Sequence, residues 1–402
     1  MKILVLSPKP PWPPYDGGAV ATMRCIEGLA AGGAIVSVLA MKTEKHVAGT
    51  GLSSQPPAYL QYYDNVAVDT RIRPSKMLAN LLFSAEPYDL QRFRSRQFSK
   101  ALHSLLLREH FDIIQCEGLL FSYYIDEIRS ITDTPLIFRA HNVEHRIREM
   151  MAEVATVPAE RDYLKSLALR LRKREILALK QFDAIVPISE PDFQWFKSGA
   201  PDKPMMLSET GTDIYEPVNE TDDTNLRVGF IGALNWQPNL DGLRWFLAGV
   251  WPRVLRTLPD ATFHIAGRGV QVNAKHWLAG KNVLLEGEVE DANRFMGSMT
   301  VMIAPLFAGS GLRIKIIEAM SLGKTVVATP VAAEGLPVED HRELLIGTDA
   351  ASFCDALTSA LSDAGLRAST GAKARELVSN RFDNLKQTSQ LLAFYKKLCD
   401  GR

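Results

Sequence analysis

Residues 305–329 read PLFAGSGLRIKIIEAMSLGKTVVAT, and this stretch decides the fold of the chain. The apolar run TVMIAP at residues 300–305 predicts a buried strand, and TVVAT at residues 325–329 predicts a second one. Between the two strands, apolar residues recur at the spacing of a helix face: Leu312, Ile316, Ala319 and Met320. Gly323 ends this predicted helix. A strand, a glycine loop, a helix and a strand in this order predict a parallel α/β sheet.

The loop at residues 308–311, Ala-Gly-Ser-Gly, leads into a helix N-terminus that is suited to binding an anion. Arg313 and Lys315 add positive charge in the first turn, where the helix dipole alone favours acids, and an anionic ligand resolves that conflict. Glu318 leans back toward the same end of the helix. Cations beside a carboxylate suit a nucleoside diphosphate, with Glu318 binding ribose hydroxyls. The alternative is an ordinary βαβ unit with a solvated, charged helix.

Length and composition limit the class of protein. The chain has 402 residues, which suits two α/β domains, and its 46% hydrophobic and 23% charged content is typical of a globular protein. A formal net charge of zero does not favour nucleic acid as a partner. The four cysteines show no paired metal spacing, so we expect a reduced, cytoplasmic protein without a metal site. We find neither a signal peptide nor an apolar run long enough to span a bilayer.

The first strand, KILVLSP, is followed by a proline-rich turn and a helix from about residue 19 to 31. Gly17 and Gly18 therefore lie at a helix N-terminus just outside the carboxyl end of a strand, where open α/β sheets bind ligands. They either line a sugar or phosphate or form a tight turn. Asp16 beside them is a candidate for a contact with an acceptor hydroxyl, or else part of a solvated turn.

Two further buried strands are predicted, FDIIQC at residues 111–116 and PLIFRAH at residues 135–141. His141 lies just past the second one, with Asn142 and Glu144 close by in sequence, so these polar groups reach the same sheet edge as the glycine pair. A structural histidine is the alternative. A long helix at 159–181 and a strand DAIVPIS complete the first half, and residues 198–225 have the composition of an interdomain linker.

The segment from residue 41 to 110 shows no clear periodicity but is locally basic. The cations that make it locally basic are Arg71, Arg73, Lys76, Arg92, Arg94, Arg96 and Lys100. Such a cluster forms a solvated surface, contacts an anionic membrane or binds a phosphate-bearing acceptor.

The second half starts with the strand RVGFIGAL and a helix over about 241–258. The strand ATFHIAGRG ends in Gly267 and Arg268, and NVLLEGEVED gives another strand and turn. A terminal helix over about 383–398 is long enough to cross back to the first domain. We therefore predict domains at residues 1–205 and 206–382, followed by the terminal helix at 383–402.

With these motifs in order, nearly the whole chain resembles a two-domain GT-B glycosyltransferase of family 4. The motifs are the first strand with Gly17 and Gly18, HNVEHR, the strand ending in IAGRG, GEVED, and GSGLRIKIIEAMSLGKTVVAT. The resemblance implies two Rossmann-like domains facing a central cleft. The WQPN loop and the GSGLR form are similar to a bacterial branch that assembles exopolysaccharides and lipid-linked saccharides.

The resemblance also implies roles by position. Glu318 matches the glutamate that holds the donor ribose, and His141 matches the histidine that approaches the transferred sugar; with Asp16 they are the predicted catalytic residues. Gly17 and Gly18 would lie under the donor phosphate or sugar. The other residues predicted to bind the donor are Gly267, Arg268, Val289, Gly309, Ser310, Gly311, Leu312, Arg313 and Lys315.

Two positions depart from the usual pattern of the family. Ser310 stands where the family commonly has a first glutamate. The segment GALNWQPNLDG also lacks the usual arginine and lysine after the first strand of the second domain. We therefore hypothesise that Arg313 and Lys315 take over the diphosphate contact from the helix side.

The function implied is a retaining, metal-independent hexosyltransferase that needs no cofactor, because the nucleotide sugar is itself a substrate. GDP-mannose and UDP-glucose are the favoured donors. The acceptor would be a saccharide or a polyprenyl-linked saccharide in extracellular polysaccharide or glycolipid synthesis, and peripheral contact with the cytoplasmic membrane stays open.

Two other functions fit the sequence, and a third does not. The sequence is also compatible with a catalytically silent GT-B scaffold of a saccharide-assembly complex and with a sugar-nucleotide epimerase. An NAD-dependent oxidoreductase does not match, because PKPPWPPYDGG stands where G-x-G-x-x-G is required.

Overall fold

The computed structural model describes residues 1–14, 16–44, 55–155, 157–214, 226–270, 276–308 and 313–401. The chain forms two compact units, unit 1 of Met1–Thr210 with Asn384–Arg402 and unit 2 of Gly211–Asp383. Each unit contains a parallel six-stranded sheet. The two α/β domains expected from the sequence are confirmed, while the division into functional domains at residues 205 and 382 stays a prediction.

The sheet of unit 1 consists of β1 (Lys2–Ser7), β2 (Ile35–Lys42), β3 (Leu60–Ala67), β4 (Ile113–Glu117), β5 (Leu136–Ala140) and β6 (Ala184–Pro187). Its strand order is β3-β2-β1-β4-β5-β6, and every neighbouring pair is parallel. All residues of β4, β5 and β6 are buried, as expected for a parallel sheet covered on both faces. The order reverses direction between β1 and β4, which is where such sheets bind ligands.

The helices of unit 1 that precede the second sheet are α1 (Gly17–Ala31), α2 (Pro74–Phe83), α3 (Tyr88–Gln91), α4 (Arg96–Arg108), α5 (Ile125–Arg129), α6 (Glu144–Val154), α7 (Pro158–Gln181) and α8 (Glu190–Gly199). The predicted helix at 159–181 is α7. The first helix begins two residues before its predicted start, because Asp16 caps it and both glycines lie within its first turn.

The sheet of unit 2 consists of β7 (Arg227–Ile231), β8 (Thr262–Ala266), β9 (Val283–Gly287), β10 (Val301–Ala304), β11 (Thr325–Ala328) and β12 (Leu345–Ile346). Its order, β12-β11-β10-β7-β8-β9, repeats the plan of unit 1 with a reversal between β7 and β10. All the neighbouring strands are parallel here too. The stretch quoted first in the sequence therefore builds β10 and β11, at the centre of this sheet.

The helices of unit 2 are α9 (Gln237–Trp245), α10 (Trp251–Thr257), α11 (Ala292–Gly297), α12 (Ile314–Ser321), α13 (Pro330–Ala333), α14 (Ala350–Ser362) and α15 (Ala364–Arg381). The helix predicted over 241–258 starts earlier, at Gln237, because Pro238 is tolerated in a first turn. A π-helical turn at Phe246–Val250 separates α9 from α10.

The terminal helix, α16 (Asn384–Asp400), belongs to unit 1 and packs on α1, which confirms its predicted return to the first domain. Its buried face contains Leu391, Leu392 and Tyr395. The Asn384 side-chain amide donates to the Arg24 carbonyl of α1 at 2.9 Å. Among the described residues, no helix is both long and apolar enough to cross a membrane.

Candidate active site

The N-terminus of α1 holds the predicted trio of Asp16, Gly17 and Gly18. Asp16 caps the helix by accepting from the Ala19 amide at 2.9 Å, and it also pairs with the Lys9 ammonium at 2.5 Å. A Cβ placed on Gly17 would meet no atom within 4 Å, whereas one on Gly18 would lie 2.8 Å from Lys9 Nζ. Space is therefore open above Gly17. The capping bond and the ion pair give Asp16 a structural role, and its contact with an acceptor stays a prediction.

His141 follows β5 and contacts a buried carboxylate at the end of the neighbouring strand β4. Its Nε2 lies 2.5 Å from Glu117 Oε2, and the same oxygen accepts from Arg139 Nη1 at 3.0 Å. The side chains of Glu117 and Arg139 are 0% and 2% exposed, whereas that of His141 is 18% exposed. A buried ion pair thus holds the Nε2 atom of an imidazole that is itself partly exposed at the edge of the sheet.

The charge of Glu117 determines which ring nitrogen of His141 carries the proton. Burial opposes its ionisation, but the Arg139 guanidinium and the hydrogen bonds from His141 and Gln115 outweigh burial and lower the pKa of Glu117 to about 2. An ionised carboxylate only accepts, so the proton of His141 lies on Nε2. In the neutral ring, Nδ1 then carries a lone pair that is able to accept a hydrogen bond.

Three other side chains complete the surroundings of Glu117. The Gln115 amide donates to Glu117 Oε1, and the Thr22 hydroxyl of α1 donates to Oε2 at 3.1 Å. Tyr395 of α16 donates to Gln115 Oε1 at 2.6 Å. The terminal helix is thereby connected to His141 through a continuous buried network, which restricts the orientation of the imidazole.

The next residues of the HNVEHR motif serve a different cluster. His145 Nδ1 lies 2.7 Å from Glu175 Oε2 of α7, and the Glu144 amide donates to Glu175 Oε1 at 3.0 Å. Burial, reinforced by the charge of Glu175, raises the pKa of Glu144 to about 7. These contacts fix α6 on α7, so His145 is a structural histidine, while His141 is the one held at the sheet edge.

In unit 2, Glu318 lies in the second turn of α12 and is only 5% exposed. Its Oε2 accepts from Lys315 Nζ at 2.6 Å, so the predicted cation and carboxylate do face each other. Arg313 immediately precedes the helix, where burial lowers the pKa of its guanidinium against the opposing effect of Glu334. Lys315 and the buried Glu318 carboxylate thus face each other near the start of α12, which Arg313 immediately precedes.

Gly267 follows β8 in a backbone conformation that only glycine adopts easily, and Arg268 comes next in the chain. Gly267 has φ of +149°, and a Cβ there would lie 1.8 Å from the Gly232 carbonyl oxygen at the end of β7. Arg268 lies 4.0 Å from Glu288. Val289 packs against the buried cluster that includes Ala266 and Ile317. Val289 therefore lies near Ile317 of α12, while Gly267 and Arg268 follow the carboxyl end of β8.

The remaining predicted contacts, Gly309, Ser310, Gly311 and Leu312, lie outside the described residues. Their assignment to the donor diphosphate stays a prediction, as does the consequence of Ser310 in place of an acid. Arg313 and Lys315, which follow this loop in sequence and are described, support an anion site at the start of α12.

Sequence reasoning missed Glu117 and Arg139. The predicted strand ends at Cys116, because a lone charge after an apolar run ordinarily marks the end of a buried segment. A usable signal existed, because Glu117 is the last residue of β4, Arg139 is the next-to-last residue of β5, and the two are direct partners in the β4–β5 register. Opposite charges at matched positions of neighbouring buried strands indicate an internal ion pair.

A family model matches most of unit 2, and curated relatives match parts or most of the chain. Residues 225–363 match the family model described as "Glycosyl transferases group 1". An uncharacterized 44.6 kDa protein in the cps region of Klebsiella pneumoniae is 24% identical over 371 residues, spanning 88% of this chain and 89% of that one. A phosphatidyl-myo-inositol mannosyltransferase of Mycolicibacterium smegmatis is 33% identical over 162 residues, which is 39% of this chain and 41% of that protein.

Solved structures share the fold over the whole chain. Sucrose-phosphate synthase from Thermosynechococcus elongatus has a TM-score of 0.71 at 17% identity, with 100% of both chains covered. Anabaena HepE in complex with UDP and glucose has a TM-score of 0.64 at 15% identity, covering 99% of this chain and 100% of that one. These likenesses and the two parallel sheets confirm the predicted GT-B fold. The matched domain confirms the predicted enzyme class: the chain is a glycosyltransferase.

Proposed function

We propose that the protein is a retaining hexosyltransferase of family 4 that uses a nucleoside-diphosphate sugar. The observation that carries the proposal is the buried Glu318 carboxylate paired with Lys315 at the N-terminus of α12. A buried acid needs a partner, and here the partner is a cation with a 42% exposed side chain, which an incoming anion can attract.

The donor nucleotide would engage this pair by exchange. The diphosphate takes Lys315, together with Arg313 and the helix N-terminus, and Glu318 is released to accept hydrogen bonds from the two ribose hydroxyls. The turn at Gly267 and Arg268 and the side chain of Val289 form the nucleotide side of the site. In this arrangement protein cations balance the phosphate charge, so the proposed reaction uses no metal and no resident cofactor.

His141 would act on the transferred hexose. Glu117 fixes the proton on Nε2, so the Nδ1 lone pair is available to accept a hydrogen bond from a sugar hydroxyl. Gly17, with open space above it, would let the sugar or its phosphate approach the backbone of α1. Asp16 is the proposed contact for the acceptor hydroxyl.

The chemistry is substitution at the anomeric carbon. The bond from that carbon to the diphosphate oxygen breaks, a bond to the acceptor oxygen forms, and the acceptor proton passes to the leaving phosphate. Attack from the same face retains the configuration. Charge accumulates on the leaving diphosphate, where each preorganised donor is worth roughly 3 kcal/mol of transition-state stabilisation.

Two donors are favoured. The mycobacterial relative is a mannosyltransferase, which supports GDP-mannose, and the HepE complex contains UDP and glucose, which supports UDP-glucose. The Klebsiella relative lies in a cps region, which supports a saccharide or lipid-linked saccharide acceptor in extracellular polysaccharide or glycolipid synthesis.

The test is turnover of nucleotide sugars with and without a polyprenyl-linked saccharide acceptor, followed by mass spectrometry. We expect release of one nucleoside diphosphate and an acceptor heavier by one hexose. Glu318→Ala should lose at least about tenfold in donor affinity, equivalent to about 1.5–3 kcal/mol, while exposed Glu376→Ala on α15 serves as the matched control.

Three results would contradict the proposal. A nucleotide sugar isomerised without acceptor would indicate an epimerase, and no conversion of any donor would favour a silent scaffold. If Arg313→Ala and Lys315→Ala both leave donor affinity unchanged, their proposed contact with the diphosphate is wrong. Product configuration at the anomeric carbon, read by NMR, tests retention separately.

A further inference from the structure

Helix α2 of unit 1 shows an inverted distribution of polar and apolar residues. Of its ten residues, PSKMLANLLF, the buried one is the polar Asn80. Leu78, Leu82 and Phe83 are instead 57%, 64% and 86% exposed, and Ile72 just before the helix is 60% exposed. A surface helix ordinarily buries its apolar side, whereas α2 exposes its apolar side chains to solvent.

The anchoring of α2 accounts for this inversion. The Asn80 amide donates to the Glu86 carbonyl at 3.0 Å and to Gln91 Oε1 at 2.7 Å. Arg170 of α7 donates to the carbonyl oxygens of Asn80 and Leu81 at 3.1 and 2.8 Å. Polar contacts of Asn80 and Arg170 thus attach the helix to the rest of unit 1. The exposed leucines take no part in these contacts.

A basic cavity of about 670 Å³ adjoins this helix. Its basic lining residues are Arg71, Arg73, Lys76, Arg92 and Arg94. Asp69 also lines it, and Glu44 pairs with Arg71 at 3.2 Å, so five cations face two carboxylates. The exposed Phe83 lines the same cavity, so the cationic and apolar surfaces are continuous.

Several of these cations are held in place by their neighbours. Arg92 Nη1 donates to the Thr70 carbonyl at 2.9 Å, and Arg94 lies 4.2 Å from the centre of the Tyr123 ring. Arg73 pairs with Asp69 at 2.8 Å. The arrangement is a fixed cationic surface beside an exposed apolar helix, which is complementary to a layer of phosphates above hydrocarbon.

We propose that α2 and this basic cavity form a docking surface for an anionic phospholipid bilayer. The side chains of Leu78, Leu82 and Phe83 enter the boundary between headgroups and acyl chains, and the arginines contact lipid phosphates. The surface would hold the enzyme at a membrane without a spanning helix. The inference does not depend on which sugar is transferred.

The experiment is co-sedimentation of the full chain with vesicles of phosphatidylcholine alone and of phosphatidylcholine with about 30% phosphatidylglycerol. We expect strong binding only to the anionic vesicles, weakening as the salt concentration rises. Arg92→Gln and Lys76→Gln should each weaken binding by about fivefold. Leu82→Ser with Phe83→Ser should weaken it by about tenfold or more.

Matched controls separate the surface from general effects. Leu107→Ser on α4 removes an equally exposed leucine (68%) that does not line the cavity, and Arg256→Gln removes an exposed cation of unit 2. Both should bind vesicles as the wild type does. Circular dichroism and donor turnover in detergent-free buffer check that each variant is folded.

Four outcomes would overturn the proposal. Equal binding to neutral and anionic vesicles, or undiminished binding by the α2 variants, removes its basis. Saturable binding of inorganic phosphate or diphosphate to the cavity, unaffected by Leu82→Ser with Phe83→Ser and without vesicle binding, would make it a site for a free anion. A wild-type dimer that the same double variant dissociates in the absence of lipid would make α2 a contact between copies of the chain.

Discussion

Replacing Glu117 by glutamine tests the buried support of His141. The substitution preserves shape but removes the charge that balances Arg139, whose side chain is 2% exposed. Removing one partner of a buried ion pair destabilises a protein by about 3–5 kcal/mol. The pKa gives a similar value, since the fall from 4.5 to about 2 in the folded protein corresponds to about 3 kcal/mol.

The pH dependence has a definite sign. The folded pKa of Glu117 is lowered, so its contribution is fully present above pH 4.5 and is lost as the pH falls toward about 2. Glu117→Gln should therefore lose stability at pH 7 and show a smaller further loss on acidification. A charge-assisted hydrogen bond to His141 is also lost, so turnover should fall by about tenfold or more with a smaller effect on donor KM.

The assay is hydrogen exchange of the β4 and β5 peptides in increasing urea, which reports opening of unit 1 separately from unit 2. Single Glu117→Gln and Arg139→Met variants should each be destabilised, and the double variant by much less than their sum. Additive losses, or a loss below about 1 kcal/mol for Glu117→Gln, would refute the reasoning that a coupled buried pair supports His141.

Three further predictions concern stability. Burial, with Arg367 nearby, lowers the pKa of Lys324 to about 8, so Lys324→Met should raise the free energy of unfolding at pH 7 by about 1–3 kcal/mol. In urea titrations this gain in stability should shrink as the pH rises from about 8 to 10.5, because the buried lysine of the wild type then loses its charge. A gain that grows with pH would contradict the prediction. Gly267→Ala places a Cβ against a backbone oxygen and should reduce the unfolding free energy by at least about 2 kcal/mol, whereas a neutral result would show that the turn can relax. Tyr395→Phe leaves the Gln115 amide oxygen without its buried donor and should destabilise β4 by about 1–3 kcal/mol in hydrogen exchange, with no change expected if water replaces the hydroxyl.

Much of the fold could be predicted because parallel strands buried on both faces are continuous apolar runs. KILVLSP, PLIFRAH and TVVAT each became a strand where expected. The edge strand β3, LQYYDNVA, was missed because none of its residues is fully buried and its polar residues break the apolar pattern. Helix α2 was also missed: Leu78, Leu81 and Leu82 recur at the spacing of one helix face, but the segment from residue 41 to 110 shows no clear periodicity as a whole.

The candidate site likewise contains residues that the sequence predicts and residues that it does not. Residues predicted to act through backbone shape or a helix N-terminus, such as Gly17, Gly267 and Lys315, are recognisable because their local sequence already sets the geometry. Glu117 and Arg139 depend on pairing between two strands more than twenty residues apart, which one local pattern does not reveal.

The most direct test of the proposed donor site at α12 is calorimetric titration of the full chain with GDP, UDP and dTDP. The variant Glu318→Ala and the control Glu376→Ala are titrated alongside. We expect that one nucleotide binds selectively, that Glu318→Ala weakens its binding by about tenfold or more, and that Glu376→Ala leaves it unchanged. If no nucleotide binds at about millimolar concentration, or if Glu318→Ala binds as tightly as the wild type, α12 is not the donor site.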